Sequence, residues 1–242
     1  MNPRLLISVR DANEAGIALE GGADLIDLKE PEAGALGAVD LSSAREIVAM
    51  IAGRRTVSAT VGDLPADALV LADAARRTSM SGVDFVKIGF MSSATADVCG
   101  VIRELAEVAR EISLIAVIFA DDLPPGDPVA AAAGAGFAGV MMDTADKRGG
   151  RLLDHLGVAR LRDFVHAAKK SGLMAGLAGS LRGEDIAQLA VLAPDYLGFR
   201  GAACSENCRG AQLQAGRVAG LRRSLDDSVA GTVTCGQPIP SA

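Results

Sequence analysis

Residues 4 to 29, RLLISVRDANEAGIALEGGADLIDLK, decide the fold class of this chain. Two short apolar runs, RLLISV at 4 to 9 and LIDLK at 25 to 29, enclose a stretch at 11 to 20 in which apolar residues recur every three or four positions. Short apolar, β-rich runs predict strands, and a recurrence of three or four predicts an amphipathic helix. The stretch therefore predicts strand, helix and strand, the repeating unit of α/β proteins with a parallel sheet.

The same alternation continues along the chain and gives eight strand and helix pairs. The predicted strands lie at 4–9, 25–29, 56–62, 85–90, 114–120, 139–144, 174–180 and 196–201. The predicted helices lie at 11–20, 42–53, 67–81, 92–111, 128–135, 158–171, 183–193 and 209–226. Eight units in 242 residues match a (β/α)8 TIM barrel in a single domain, which typically has about 250 residues. A doubly wound open sheet is the alternative, but the unit count and the absence of GxGxxG after the first strand argue against it.

Composition limits the domain boundaries and the partners. We expect the barrel to cover residues 1–227, and a flexible C-terminal tail to cover 228–242, SVAGTVTCGQPIPSA, which is rich in Gly, Pro and Ser. The net charge of −6 and pI near 5.0 disfavour nucleic acid and anionic membranes as partners, although a small anion can still be held locally. No apolar run reaches the roughly 20 residues that span a bilayer, and no signal-peptide core is evident. A cytoplasmic protein that forms a homo-oligomer is expected.

The cysteines indicate neither a disulfide framework nor a metal site. Cys99, Cys204, Cys208 and Cys235 are too few to cross-link a domain of this size, which favours a reducing compartment. The spacing of Cys204 and Cys208 resembles half of a metal site, but no second Cys or His pair completes a tetrahedral set. We therefore expect no metal and no cofactor.

Lysine is scarce in this chain, and its placement is informative. Only five of the 24 basic residues are lysines, and three of them, Lys29, Lys87 and Lys147, fall inside or just after predicted strands. A guanidinium stays protonated, whereas a desolvated lysine amine can lose its proton and act as a nucleophile or base. Because active sites of TIM barrels lie at the carboxyl ends of the strands, this placement predicts reactive amines.

Two carboxylates accompany these amines at the strand ends. The two-residue period of a strand places Asp27 and Lys29 on one face, and Lys87 points inward if its neighbours pack against helices. The sixth strand ends at Asp143, and Lys147 lies in the loop that follows. Crowded ammonium groups lower one another's pKa, and carboxylates orient amines, so this set suits Schiff-base chemistry on an aldehyde or ketone. The alternative is that these are ordinary ion pairs in a solvated rim, and this applies most to Lys147.

The remaining strand ends predict ligand-binding loops. LAGSL at 177–181 and RGAA at 200–203 are small turns where many barrels bind phosphate through backbone amides. The predicted phosphate-binding residues are Gly179, Ser180, Arg200, Gly201 and Ala202. Alternatively, the two glycines only permit tight turns, and Arg200 best distinguishes the two interpretations. The Gly-rich loop at 30–37 is long enough to close over a ligand.

Six motifs resemble one known family. They are GGADLIDLKEPEAGALGA (21–38), SATVGD (58–63), DFVKIG (84–89), MMDTADKRGGRLLD (141–154), LAGSL (177–181) and GFRGAAC (198–204). Over nearly the whole chain to about residue 225, the sequence resembles the (5-formylfuran-3-yl)methyl phosphate synthases. These enzymes make the furan precursor of methanofuran-type one-carbon coenzymes, which include methylofuran.

The resemblance implies an activity and residue roles. It implies that two molecules of glyceraldehyde 3-phosphate condense to 4-(hydroxymethyl)-2-furancarboxaldehyde phosphate, with loss of phosphate and water. By similarity, Lys29 is the Schiff-base lysine and Lys87 the proton acceptor, and Asp27, Asp143 and Lys147 support them. Two other functions fit the residues: a class I Schiff-base aldolase acting on a phosphorylated sugar, and a non-catalytic barrel that binds a phosphorylated metabolite.

Overall fold

Eight parallel strands form a closed barrel. The computed structural model describes residues 2–91 and 97–233. The strands are β1 (Arg4–Val9), β2 (Leu25–Leu28), β3 (Thr56–Thr60), β4 (Phe85–Phe90), β5 (Leu114–Phe119), β6 (Gly139–Asp143), β7 (Met174–Leu177) and β8 (Tyr196–Phe199). They pair in chain order, and β1 closes the barrel against β8. The predicted TIM barrel is confirmed, and the open sheet is wrong because this sheet has no free edge.

Helices surround the barrel. They are α1 (Ala12–Glu20), α2 (Leu41–Ile51), α3 (Ala68–Ser79), α4 (Val98–Glu104), α5 (Ala106–Glu111), α6 (Pro128–Gly134), α7 (Leu152–His155), α8 (Val158–Lys170), α9 (Ile186–Ala190) and α10 (Ala215–Val233). An aspartate whose carboxylate accepts a backbone N–H caps the start of five of them, namely Asp11, Asp40, Asp67, Asp97 and Asp127. Such caps satisfy N–H groups that lack a partner within the helix.

The strand starts agree with the prediction, and the main differences lie in the helices. The predicted helix at 92–111 is two helices over 98–111, and residues 92–96 lie outside the described residues. The last helix begins at Ala215 instead of 209, because Cys204 pairs with Leu213 and two 3-10 turns occupy 201–207. It continues to Val233, beyond the predicted boundary at 227, and the rest of the predicted tail, 234–242, lies outside the described residues.

The apolar core has two layers because successive strand residues face opposite sides of the sheet. Leu28, Val86 and Ile88 belong to the large cluster between the barrel and its helices. A smaller cluster inside the barrel contains Leu6, Leu25, Ile115, Val117, Phe119, Met141 and Tyr196, among others. The Tyr196 ring fits there because Gly176 has no side chain, and a Cβ at Gly176 would lie 2.2 Å from Tyr196 Cζ. This inner cluster supplies the apolar filling of the barrel.

No helix in the described part of the chain is both long enough and apolar enough to cross a membrane.

Candidate active site

A cavity of about 710 Å³ opens at the carboxyl ends of the strands. It is lined by all ten residues predicted as catalytic or phosphate-binding. Eight basic and four acidic side chains line it, which are Lys29, Lys87, Lys147, Arg148, Arg151, Arg182, Arg200 and Arg209, and Asp27, Asp143, Asp146 and Asp154. The local charge of the cavity is therefore positive, opposite in sign to the chain's net charge of −6. The cavity is therefore suited to an anionic ligand.

Asp27 is the centre of the deeper of two clusters of polar side chains in the cavity, which we call the inner group. The register of the sheet places Ser8 on β1, Asp27 on β2 and Ser58 on β3 side by side. Both serine hydroxyls donate to the carboxylate, Ser8 Oγ at 3.1 Å and Ser58 Oγ at 2.6 Å. Lys87 Nζ on β4 lies 2.9 Å from Asp27 Oδ1. Three neighbouring strands thus fix the carboxylate that faces the Lys87 amine.

Lys87 is the most deeply buried of the cavity lysines, with 2% of its surface exposed. Burial lowers the pKa of Lys87 and nearby Lys29 lowers it further, against the opposing charge of Asp27. The amine lies 5.7 Å from the centre of the Tyr196 ring. Within the described part of the chain, neither Lys87 Nζ nor the buried Tyr196 hydroxyl has a hydrogen-bond partner of good geometry. Burial thus makes the Lys87 proton easier to lose than that of an ordinary lysine, while the adjacent Asp27 carboxylate opposes its loss.

Asp143 is the centre of the second cluster, the outer group, in which its carboxylate contacts two lysines. Lys29 Nζ lies 3.5 Å from Asp143 Oδ2, and Lys147 Nζ lies 2.5 Å from Asp143 Oδ1. The backbone N–H of Thr144 also donates to this carboxylate, at 2.8 Å, and Lys147 donates to the Thr144 carbonyl. Although burial alone raises the pKa of Asp143, Lys147 and Lys29 hold it below its usual value. Burial lowers the pKa of Lys147 to about 8 in spite of Asp143, and Lys29 contributes to the lowering.

The loop predicted to close over a ligand lies folded against the barrel mouth. Asp63 accepts the N–H groups of Ala35 and Leu36 at 2.6 and 2.8 Å. Leu36 is buried against Gly89. A Cβ at Gly89 would lie 2.4 Å from Leu36 Cδ1. Gly34 has φ of 109°, and a Cβ there would lie 2.0 Å from Asp63 Oδ2. Glycines at 34 and 89 therefore permit this loop to form one wall of the cavity.

The turns after β7 and β8 present unused backbone N–H groups. Gly179 and Ser180 have φ of 109° and 51°, which turns the chain sharply after β7. Among the described residues, the N–H groups of Gly179, Ser180, Gly201 and Ala202 donate to no acceptor. All four residues line the cavity. Free backbone donors beside a cavity rich in positive charge are suited to bind a phosphate.

Arg200 differs from the expectation that its side chain binds phosphate. Its five N–H groups all have acceptors: Nε donates to Arg209 O, and the two Nη atoms donate to Glu14, Ser8 O and Ala211 O. Glu14 is fully buried, so the pair is an internal ion pair. In this arrangement every N–H group of the guanidinium has an acceptor within the protein, so a contact from the Arg200 side chain to a phosphate stays a prediction. The geometry gives Arg200 the role of anchoring the chain after β8.

Several site residues escaped prediction. Ser8 lies within an apolar run, and its one signal is that it is the uncharged polar residue of that run. Tyr196 is the first residue of the eighth predicted strand, where no pattern indicates a site role, and its ring lies against the Lys87 amine. The sequence predicts Arg209 as the first residue of the last helix, but Arg209 lies in the irregular segment before that helix and its side chain lines the cavity.

The described residues contain no group of three or more His, Cys, Asp or Glu side chains that is arranged to hold a metal ion. Cys99 and Cys204 are buried free thiols, and Cys208 is an exposed one. Cys235 lies outside the described residues.

Known proteins share this fold and much of this sequence. The 3-hexulose-6-phosphate synthase from Salmonella typhimurium superimposes with a TM-score of 0.65 over 94% of this chain and 99% of its own, but at 15% identity this shows the fold alone. A sequence profile of the 4-HFC-P synthases matches residues 5–222. A relative from Methylorubrum extorquens, to which (5-formylfuran-3-yl)methyl phosphate synthase activity is provisionally assigned, is 44% identical over 90% of this chain and 89% of its own. The (5-formylfuran-3-yl)methyl phosphate synthase of Methanopyrus kandleri is 39% identical over 86% of this chain and 92% of its own. The chain is therefore an enzyme of the 4-HFC-P synthase family, the (5-formylfuran-3-yl)methyl phosphate synthases, as its motifs predicted.

Proposed function

We propose that this enzyme condenses two molecules of glyceraldehyde 3-phosphate to 4-(hydroxymethyl)-2-furancarboxaldehyde phosphate through a lysine Schiff base, as a step toward a methanofuran or methylofuran coenzyme. One observation carries the proposal: a single cavity joins a buried Lys87 amine of lowered pKa to a second amine, Lys29, amid a surplus of positive charge. Two amines of different exposure allow one to form an imine while the other moves protons.

The carbon skeleton of the product defines the bonds that must form. Its phosphate-bearing branch requires that C3 of one triose joins C2 of the other. One triose phosphate therefore isomerises to the ketone by moving its C2 proton to C1. The other loses its C2 proton and then its phosphate, which leaves an enol whose C3 attacks that ketone. Ring closure and two dehydrations give the furan, so the balance is two triose phosphates in, and one product, one phosphate and two waters out.

The proposed roles follow from the two carboxylate groups. Lys29 attacks the aldehyde and forms the iminium, which draws electrons away from C2 and makes the C2 proton acidic. Lys87 takes that proton, a role supported by the lowered pKa of its buried amine. Asp27 orients Lys87, while Asp143 and Lys147 exchange protons with Lys29 during imine formation and hydrolysis. The free N–H groups of Gly179, Ser180, Gly201 and Ala202 bind the phosphate that the product retains.

Incubation with glyceraldehyde 3-phosphate alone tests the reaction. The proposal predicts one inorganic phosphate per two triose phosphates consumed, together with a chromophore that absorbs in the near ultraviolet. A class I aldolase gives neither signal, because it stops after the carbon-carbon bond forms. Phosphate release without the chromophore would indicate elimination alone and would refute the condensation.

Borohydride trapping separates both enzymes from a non-catalytic phosphometabolite-binding barrel. Reduction in the presence of substrate fixes an imine as a stable amine and increases the mass of the chain. A mass that stays unchanged, under conditions where substrate binding is saturated, would contradict the Schiff-base mechanism.

A further inference from the structure

Two arginines that follow β8 have opposite surroundings. All five N–H groups of Arg200 have acceptors, and Glu14 neutralises its charge. Arg209 makes one hydrogen bond, from Nη2 to Gly34 O at 2.9 Å. Among the described residues, its other four N–H groups find no acceptor, and no carboxylate lies within ion-pair distance of its guanidinium. The N–H groups and the charge of Arg200 are therefore satisfied within the protein. Among the described residues, Arg209 has four N–H groups without an acceptor and a positive charge without a paired carboxylate.

Arg209 is partly desolvated and directed at the catalytic cavity. Its side chain lines the cavity and is half-buried. Burial lowers the pKa of Arg209, and the charge of Asp143 opposes this at a distance. Arg209 in turn contributes to the lowered pKa of Lys147, and both side chains line the cavity, so the two cations are close enough to repel each other. A half-buried guanidinium without a carboxylate is costly unless a bound anion neutralises it.

The backbone beneath Arg209 is held in place before any ligand binds. Arg200 Nε donates to the Arg209 carbonyl at 2.8 Å, and Arg200 Nη2 donates to Ala211 O at 3.1 Å. Glu14 also accepts the N–H of Leu213 at 3.3 Å. The buried ion pair thus fixes the segment 209–213 and lets the Arg209 side chain reach Gly34 across the mouth. A site whose backbone is already ordered loses less entropy when a ligand binds.

The proposed reaction brings two phosphates into one cavity and expels one. The turns after β7 and β8 provide backbone donors for one phosphate, but they carry no side-chain charge that is free. We propose that Arg209, assisted by Lys147, forms a second anion site that holds the phosphate to be expelled. As the C3–O bond breaks, its electron pair leaves with the phosphate, and the Arg209 guanidinium neutralises the growing charge. The identity of this anion as a substrate phosphate rests on the proposed function, whereas the anion site itself does not.

Titration with inorganic phosphate tests the site without turnover. Calorimetry should detect two phosphates per wild-type chain, and Arg209→Gln should weaken one of them at least about 10-fold and leave the other unchanged. Arg209→Lys keeps the charge and should weaken the same phosphate less. Arg110→Gln is the control, since Arg110 is an exposed arginine of α5 that pairs with Glu107 and does not line the cavity, and this variant should bind as wild type does. Thermal melting of each variant verifies that it is folded.

Some outcomes would overturn the second site. A wild-type chain that binds only one phosphate, or an Arg209→Gln chain with unchanged phosphate affinity, contradicts it. Turnover then separates this inference from the proposed function: with glyceraldehyde 3-phosphate, Arg209→Gln should slow phosphate release while borohydride still traps the imine. If the wild-type enzyme makes no furan but Arg209→Gln still loses one phosphate, the proposed function fails and the anion site stands.

Discussion

Asp27 and Asp143 are equally buried, yet the groups around them differ in what they allow. They lie on β2 and β6, which are diametrically opposed in an eight-stranded barrel, and each is 2% exposed. Asp27 holds one lysine and two serine hydroxyls above the apolar interior, and Asp143 holds two lysines closer to the mouth. The difference suggests a division of labour in which the inner amine moves protons and an outer amine meets the substrate.

Of the substitutions considered, Lys29→Arg should have the largest effect on activity, and it changes the outer group. A guanidinium keeps the charge beside Asp143 but cannot form an imine, so we expect no borohydride adduct and no furan. The matched control is Lys169→Arg, which changes a lysine on the protein surface and should retain full activity. Adduct formation by Lys29→Arg at the wild-type rate would show that another lysine forms the imine.

Lys87→Gln should separate the inner group from the outer one. The amide still fits beside Asp27 but cannot accept a proton, so we expect kcat to fall by about 10²- to 10⁴-fold. Because Lys29 is intact, borohydride should still trap an adduct. Mass spectrometry of the reduced protein and steady-state kinetics measure the two effects, and loss of the adduct together with kcat would contradict the division of roles.

Asparagine at each carboxylate tests the comparison through stability. Asp143→Asn leaves two lysine amines without a carboxylate, so we expect the free energy of unfolding to fall by about 3 to 5 kcal/mol. Asp27→Asn keeps an acceptor for the serine hydroxyls, and Lys87 can become neutral, so a loss of about 1 to 3 kcal/mol is expected. Urea unfolding of both variants at neutral pH provides the values. Equal losses of unfolding free energy in the two variants would mean that the second lysine beside Asp143 does not increase the cost of removing that carboxylate.

The lowered pKa of Lys147 predicts a dependence of stability on pH. Folding lowers this pKa from 10.5 to about 8, so between these values the unfolded chain binds a proton that the folded chain does not. Stability therefore rises with pH across this window, and it rises by about 3 kcal/mol if the whole shift is expressed. Urea unfolding of the wild-type protein and Lys147→Met from pH 7.5 to 10.5 measures this, and the wild-type protein should gain relative to the variant. If the unfolding free energies of the two proteins change in parallel with pH, the pKa of Lys147 is not lowered on folding.

The smallest effect is expected at Tyr196 below the inner group. Tyr196→Phe removes a buried hydroxyl that has no partner among the described residues and keeps the ring near Lys87. Stability should change by less than about 1 kcal/mol, and kcat by only a few-fold. Tyr196→Leu removes the ring and should cost more in both, since the cation-π contact and packing are lost together. Thermal melting and kinetics compare the pair, and a large loss in Tyr196→Phe would assign the hydroxyl a role.

Local periodicity accounts for what the sequence predicted correctly. All eight strand starts agree with the apolar runs, and the two-residue period directed Asp27, Lys29 and Lys87 into the barrel. Asp143 and Lys147 followed from their position at the end of the sixth strand. These features depend on residues close together in the chain, so one sequence suffices to find them.

Features that depend on distant partners were not predictable in the same way. Ser8 reaches Asp27 because of the register between β1 and β2, which no local pattern encodes. The difference between Arg200 and Arg209 is not encoded locally, because Glu14, which is 186 residues from Arg200, pairs with Arg200 and not with Arg209. The late start of α10 has the same origin, since Glu14 and Arg200 hold the segment before it. Tertiary contacts thus decide which arginine anchors the fold and which faces the cavity.

The most direct test of the division between the two groups is peptide mapping of the wild-type enzyme reduced with borohydride in the presence of glyceraldehyde 3-phosphate. The mechanism predicts one added triose-derived mass per chain, on the peptide that contains Lys29. A label on Lys87 would reverse the roles of the inner and outer amines, and a reduced enzyme without added mass would contradict Schiff-base catalysis altogether.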